Sequence, residues 1–224
     1  MTIRTIPGMG HPAASPPDPS GDLLRHRSFG EGYDPTAVDR LGVWLSTHRV
    51  RRAVGSFDGK RVVDVGCGYH ATLARTMLDR VAAMTLIDVS ISPELAAHPR
   101  VLAIEGALPG ALDALADTSA DVVVCNSVLE HLWEPLEAIR HMHRVAVPGG
   151  VVLLNVPTWR GKRFLELAAF RLRLSPADEM NDHKAYYDPE DLWPLLVRAG
   201  FRPQDIRCFR HKLGLNTFAI CRRR

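Results

Sequence analysis

Residues 61–71 read Arg-Val-Val-Asp-Val-Gly-Cys-Gly-Tyr-His-Ala, and no other stretch limits the fold as tightly. Val62, Val63 and Val65 form a short β-branched apolar run, the pattern of a buried strand. Gly66 and Gly68 follow at once, and Thr72–Met84 then shows helical spacing, with Leu73, Met77, Leu78 and Val81 along one side. Strand, glycine turn and helix in that order open a nucleotide-binding α/β sheet. The glycines permit a tight turn and a close ligand approach that a side chain would block.

Gly66-Cys67-Gly68-Tyr69-His70-Ala71 also satisfies the Gly-x-Gly-x-x-Gly/Ala dinucleotide pattern. Asp64 opposes that reading. It ends the strand where a pyrophosphate would lie, and a carboxylate there repels phosphates. It suits a ligand carrying an ammonium and a sulfonium. An acid followed by Gly-x-Gly resembles the first motif of the class I S-adenosylmethionine-dependent methyltransferases, small-molecule branch. Asp64, Gly66 and Gly68 match it, and His70 stands where the family has its third glycine. The resemblance implies an α/β fold: a Rossmann-like seven-stranded methyltransferase sheet, mostly parallel with an antiparallel C-terminal strand and helices on both faces. It also implies the strand order 3-2-1-4-5-7-6.

The 224 residues suffice for one α/β core plus a tail or lid. A Pro-rich tail, 1–28, cannot bury enough apolar surface to offset its ordering entropy and is expected to be disordered. Residues 29–224 make the methyltransferase domain, with 158–187 as an inserted lid-like segment. A net charge of +3 is too mild to argue for nucleic acid, and no DNA- or RNA-reading motif occurs. The four cysteines lie far apart without Cys-x-x-Cys, as expected of reduced thiols in a cytoplasmic protein. No apolar run is long enough to span a membrane, and the N-terminus lacks an apolar signal core.

Asp34–Val54 reads as a helix, with Asp34 as N-cap and Pro35 first inside it. Strand two, Met84–Asp88, ends in Asp88, an acid positioned to accept hydrogen bonds from two ribose hydroxyls, with Val89 beside it. Strand three, Val101–Glu105, leads into Glu105-Gly106-Ala107. Many relatives carry an adenine-binding acid where this chain has Ala107, so either Glu105 or a backbone amide is expected at the base. Ala111–Ala116 reads as a short helix. Strand four, Asp121–Ser127, runs into Val-Leu-Glu-His-Leu, which resembles the family's fourth motif. Asn126 and Ser127 then face the methionine part of the cofactor or the acceptor. Pro148-Gly149-Gly150 is expected to end the next helix, and Val151–Asn155 to form strand five.

The cofactor implied by the resemblance is S-adenosylmethionine, held by Asp64, Gly66, Cys67, Gly68, Asp88, Val89, Glu105, Gly106, Ala107, Asn126 and Ser127. Methyl transfer needs a base only for a hydroxyl or protonated amine, and His131 and His183 are the candidates. Trp159, Tyr186 and Tyr187 are the candidate substrate contacts. Tyr186 and Tyr187 are adjacent, so only one can line an extended pocket wall. The basic, apolar-interleaved stretch 160–173 reads as an amphipathic helix, either core-packed or meeting an acidic or lipid-like acceptor. No cluster shows metal-ligand spacing, so no metal is expected. Asp188, Pro189 and Asp191 start the last helix, which Pro194 should bend or shorten. Ile206–Lys212 and Asn216–Arg222 form a terminal hairpin.

The expected activity is methylation of a small-molecule, lipid or sugar-type acceptor, without a nucleic-acid partner. Two alternatives stand beside it: an NAD(P)-dependent Rossmann oxidoreductase, and a non-catalytic S-adenosylmethionine-binding protein.

Overall fold

The computed structural model describes residues 30–32, 36–166 and 183–224. The 1–28 tail, Asp34, Pro35 and the part of the basic stretch beyond residue 166 lie outside them.

Seven strands form one sheet: β1 (Arg61–Val65), β2 (Ala83–Asp88), β3 (Val101–Glu105), β4 (Ala120–Asn126), β5 (Ala146–Pro157), β6 (Ile206–His211) and β7 (Asn216–Arg222). Their spatial order is β3-β2-β1-β4-β5-β7-β6, as the resemblance implies. Strands β1 to β5 pair in parallel, and β7 runs antiparallel to both β5 and β6.

Period-two alternation sorts the strand side chains onto two faces. Val63, Val65, Val123, Cys125, Val152 and Leu154 join one core, with α4 (Pro135–Val145) and α6 (Pro189–Arg198) packed over it. Val62, Val122, Val124, Val151 and Leu153 join the other. Beneath that second face lie α1 (Ala37–Val54), the short α2 (Thr72–Arg75) and α3 (Pro93–Ala96). α5 (Trp159–Glu166) follows β5.

Several element limits differ from expectation. The N-cap of α1 is Thr36, whose hydroxyl accepts from the Asp39 amide at 3.2 Å while Asp39 accepts from the Thr36 amide at 2.8 Å. The helix expected over Thr72–Met84 stops at Arg75, because the next bonds tighten to three-residue spacing, as in Met77 N–H to the Ala74 carbonyl. Leu73, Met77, Leu78 and Val81 are nonetheless all buried. Gly110–Ala114 is a 3-10 helix. α4 ends at Val145, not at Pro148-Gly149-Gly150, which belong to β5. There Gly149 donates to the Arg223 carbonyl and Gly150 accepts from the Arg223 amide, so the extended chain gains partners. Pro194 sits inside α6 without ending it, and Asp188 and Asp191 form the expected capping box.

Candidate cofactor and acceptor site

The order of strands reverses between β1 and β4, so their carboxyl ends border the crevice where open α/β sheets bind ligands. Asp64 pairs in register with Leu86 and Val124, and Asn126 with Asn155. Register and alternation therefore put Asp64, Asp88, Asn126 and Asn155 on one sheet face at its carboxyl edge. Sequence reading used Asn155 only as a strand end. Its role depends on register: its amide donates to Asn126 Oδ1 at 2.9 Å, and its own Oδ1 is buried with no partner among the described residues. The Asn155 carbonyl also accepts from Ser127, a non-glycine residue at φ +58° where the chain leaves β4.

Asp64 is buried, and its Oδ2 has no hydrogen-bond partner among the described residues. Burial, and then the charge of Asp88, push its carboxyl up to about 7. Asp88 clamps the glycine turn. Its Oδ2 accepts from the Gly68 amide and its Oδ1 from the Val89 amide, each at 2.7 Å. Burial raises the Asp88 pKa, and the Gly68, Val89 and Ser90 amides pull it back. The Cys67 thiol is pushed up by burial.

Gly66 has no room for a side chain. A Cβ built there would collide with Val128 Cγ2, and its φ is +71°. Gly68 keeps a positive φ of +72° with its N–H on Asp88. His70, in place of the third glycine, is exposed, with Nε2 3.1 Å from the Glu31 carbonyl. Glu105 is exposed and its Oε1 accepts from the Ile91 amide at 2.8 Å, so this carboxylate already holds the loop after β2. Gly106 donates to the Asp88 carbonyl, and Ala107 is exposed beside it.

The acceptor candidates gather from three chain segments. His131 and His183 meet edge to face with centroids 4.7 Å apart, and Trp159 and Tyr186 lie 5.4 Å apart. His183 Nδ1 is 3.1 Å from the Tyr186 hydroxyl. The Glu130 carbonyl accepts from the Lys184 and Ala185 amides, and the Pro157 carbonyl from the Tyr187 amide. These bonds dock residues 183–187 onto the 3-10 turn Leu129–His131 and the end of β5. Tyr187 falls away from the other aromatics into the core, where burial and the charge of Glu130 lift its pKa to about 12.

Glu130 was read only as part of a motif. Its side chain is 1% exposed, its Oε2 has no hydrogen-bond partner among the described residues, and burial pushes its pKa to about 8. Glu130, His131 and His183 each present a ligand atom within 4.8 Å of the other two. Sequence spacing could not show this, because His183 comes from a distant segment. All four cysteines are free. No helix among the described residues is long and apolar enough to cross a membrane.

The lone buried carboxylate oxygen of Asp64 fits an ammonium group, and Asp88 at the tip of β2 fits a vicinal diol. This donor set matches the amino-acid and ribose ends of S-adenosylmethionine. Comparison with known proteins agrees. A model of the methyltransferase domain matches residues 42–205. A Mycolicibacterium smegmatis protein named "Probable S-adenosylmethionine-dependent methyltransferase" is 31% identical over 179 residues, covering 77% of this chain and 64% of the relative. The ubiquinone biosynthesis O-methyltransferase of Pseudomonas aeruginosa is 32% identical over 158 residues, covering 66% of this chain and 67% of the relative. The chain thus spans about two thirds of the length of these relatives. An Aquifex aeolicus S-adenosylmethionine-dependent methyltransferase structure shares the fold, with TM-score 0.58, 20% identity, 91% of this chain and 97% of that one. An Archaeoglobus fulgidus counterpart has TM-score 0.58 and 16% identity, over 81% and 94% of the two chains.

The chain belongs to the class I S-adenosylmethionine-dependent methyltransferase family. Its cofactor is S-adenosylmethionine rather than a nicotinamide dinucleotide, and the antiparallel β7 accords with that.

Proposed function

We propose that the protein methylates a hydroxyl group of a small-molecule acceptor. The observation that carries this reading is the cluster of His131, His183, Tyr186 and Trp159, drawn together from the turn after β4, the start of α5 and residues 183–187. When bound, S-adenosylmethionine supplies a methyl group already activated on a sulfonium. The chain's own residues have three tasks. Asp64 takes the ammonium group, Asp88 the ribose hydroxyls, and the turn at Gly66, Cys67 and Gly68 the carboxyl-terminal edge of β1. Val89, Gly106 and Ala107 line the base side with backbone groups, since Glu105 is engaged with Ile91. Asn126 and Ser127 sit between the two halves.

Trp159 and Tyr186 then present ring surface to the acceptor and exclude water, so that alignment supplies most of the rate. A hydroxyl must also lose its proton. In the tautomer whose Nδ1–H donates to the Tyr186 oxygen, His183 carries its basic lone pair on Nε2. His131 is the neighbouring imidazole. Arg160, Lys162 and Arg163 in α5 give the rim a positive charge that suits an acidic or lipid-like acceptor. The named O-methyltransferase relative supports transfer to oxygen.

The test is a mass-spectrometric transfer assay with trideuteromethyl-labelled cofactor against phenols, catechols, sugars, hydroxylated lipids, amines and thiols. Labelled methyl on oxygen is expected, with His131→Gln or His183→Gln lowering kcat by about 10²–10⁴-fold. Transfer to amines or thiols alone, or no transfer to any acceptor, contradicts the proposal.

A further inference from the structure

The Glu130–His131–His183 cluster has features that proton transfer does not require. One carboxylate oxygen and two imidazole nitrogens lie within 4.8 Å of one another. Around a tetrahedral ion with bonds of about 2.0–2.2 Å, ligand atoms sit about 3.3–3.5 Å apart. Binding would draw the three atoms in towards that spacing. The Glu130 side chain is nearly fully buried, and its Oε2 lacks a hydrogen-bond partner among the described residues. An orphaned buried carboxylate oxygen is costly unless a cation meets it. Lys212 is near enough to act on it electrostatically, yet forms no hydrogen bond to that oxygen.

The surroundings also fit. The Tyr186 hydroxyl lies 3.1 Å from His183 Nδ1 and orients the ring, as outer-shell partners of metal-binding histidines do. The two segments are already tied together, since the Glu130 carbonyl accepts from the Lys184 and Ala185 amides. The site therefore does not depend on a chance meeting of mobile side chains. His131 and His183 are both partly exposed, whereas Glu130 is buried.

We propose that Glu130, His131 and His183 bind one divalent first-row transition-metal ion, with an open coordination position facing the acceptor side. Two imidazoles and one carboxylate are the donor set that suits zinc and its neighbours, and an open position marks a catalytic rather than a structural site. The ion's role deepens the methyl-transfer reading and rests on it; the ion's binding does not. An acceptor hydroxyl oxygen would take the open position. Its O–H bond would then break with the proton passing to water, and the oxygen's electron pair would form the new bond to the methyl carbon as the carbon–sulfur bond breaks and S-adenosylhomocysteine leaves with that bond's electron pair. The histidines would manage the acceptor's proton through the ion rather than accept it themselves.

Chelator-treated full-length protein is titrated calorimetrically with zinc chloride alone, and separately with S-adenosylmethionine. One zinc per chain is expected with a Kd below about 10 µM. His183→Ala should weaken it at least about 10-fold, and Tyr186→Phe should weaken it measurably, in the range of outer-shell changes of about 10–100-fold. Cobalt should give visible absorption bands that His183→Ala removes. Glu130→Gln should also abolish binding, and if its buried position prevents folding, the half-exposed His183 decides the question. S-adenosylmethionine affinity should change less than about twofold in His183→Ala. Absence of zinc binding, or zinc affinity equal in wild type and His183→Ala, overturns the metal site while the cofactor titration stands or falls on its own.

Discussion

Asp64 combines three properties at one side chain: burial, an unpartnered oxygen and a neighbouring acid. Its pKa of about 7 lies above the ordinary carboxylate value of 3.8. Between those two values the native state holds a proton that the unfolded chain releases. Asp64 therefore contributes stability that is fully present below about pH 4 and is lost as pH rises through about 7. Asp64→Asn should remove this loss. Its stability relative to wild type should rise between pH 5 and pH 8, by at most about 3 kcal/mol. A wild-type-to-variant difference that stays flat with pH would show that the Asp64 carboxylate is not stressed. The sequence already marked this acid by its place before the glycines. It could not show that Asn126 and Asn155 share its face, because that depends on the pairing of β4 with β5. Nor could it separate Tyr186 from Tyr187, since their adjacency allows either to turn inward. The Tyr187 amide bond to Pro157 decides it, sending the Tyr187 ring to the core.

The glycine turn and the turn after β4 are built as one unit. Val128, in the turn after β4, occupies the space a side chain at Gly66 would need. Gly66→Ala meets both a positive φ and a Val128 methyl. It should cost about 2–4 kcal/mol, from left-handed strain plus overpacking. Val128→Ala relieves only the steric part. In chemical denaturation the double variant should be less destabilised than the sum of the singles, by at least about 1 kcal/mol. Strict additivity would mean the two turns are independent. At this scale the apolar spacing was legible and the hydrogen bonding was not. Leu73, Met77, Leu78 and Val81 are buried as their spacing requires, yet the α-helix ends early because three-residue bonds take over. Pro148-Gly149-Gly150 looked like a helix terminator. Backbone bonds with Arg223 near the chain's end turn it into strand, a partner invisible in local sequence.

Over the whole molecule, the order of motifs carried most of the fold. β2, β3 and β4 each end near residues that the family motifs pick out, and the sheet has the order that the resemblance implies. The metal-ligand geometry escaped because it joins Glu130 to His183 across an intervening segment. The central claim is that the crevice beside β1 binds S-adenosylmethionine, with Asp88 on the ribose. Titration calorimetry of wild type and Asp88→Ala with S-adenosylmethionine, and of wild type with NAD⁺, tests it most directly. The prediction is a micromolar Kd for S-adenosylmethionine, about −8 kcal/mol at 1 µM. Asp88→Ala should weaken it by about 1.5–3 kcal/mol through loss of charge-assisted bonds. Unchanged affinity in a folded Asp88→Ala, or tighter binding of NAD⁺ than of S-adenosylmethionine, would contradict it.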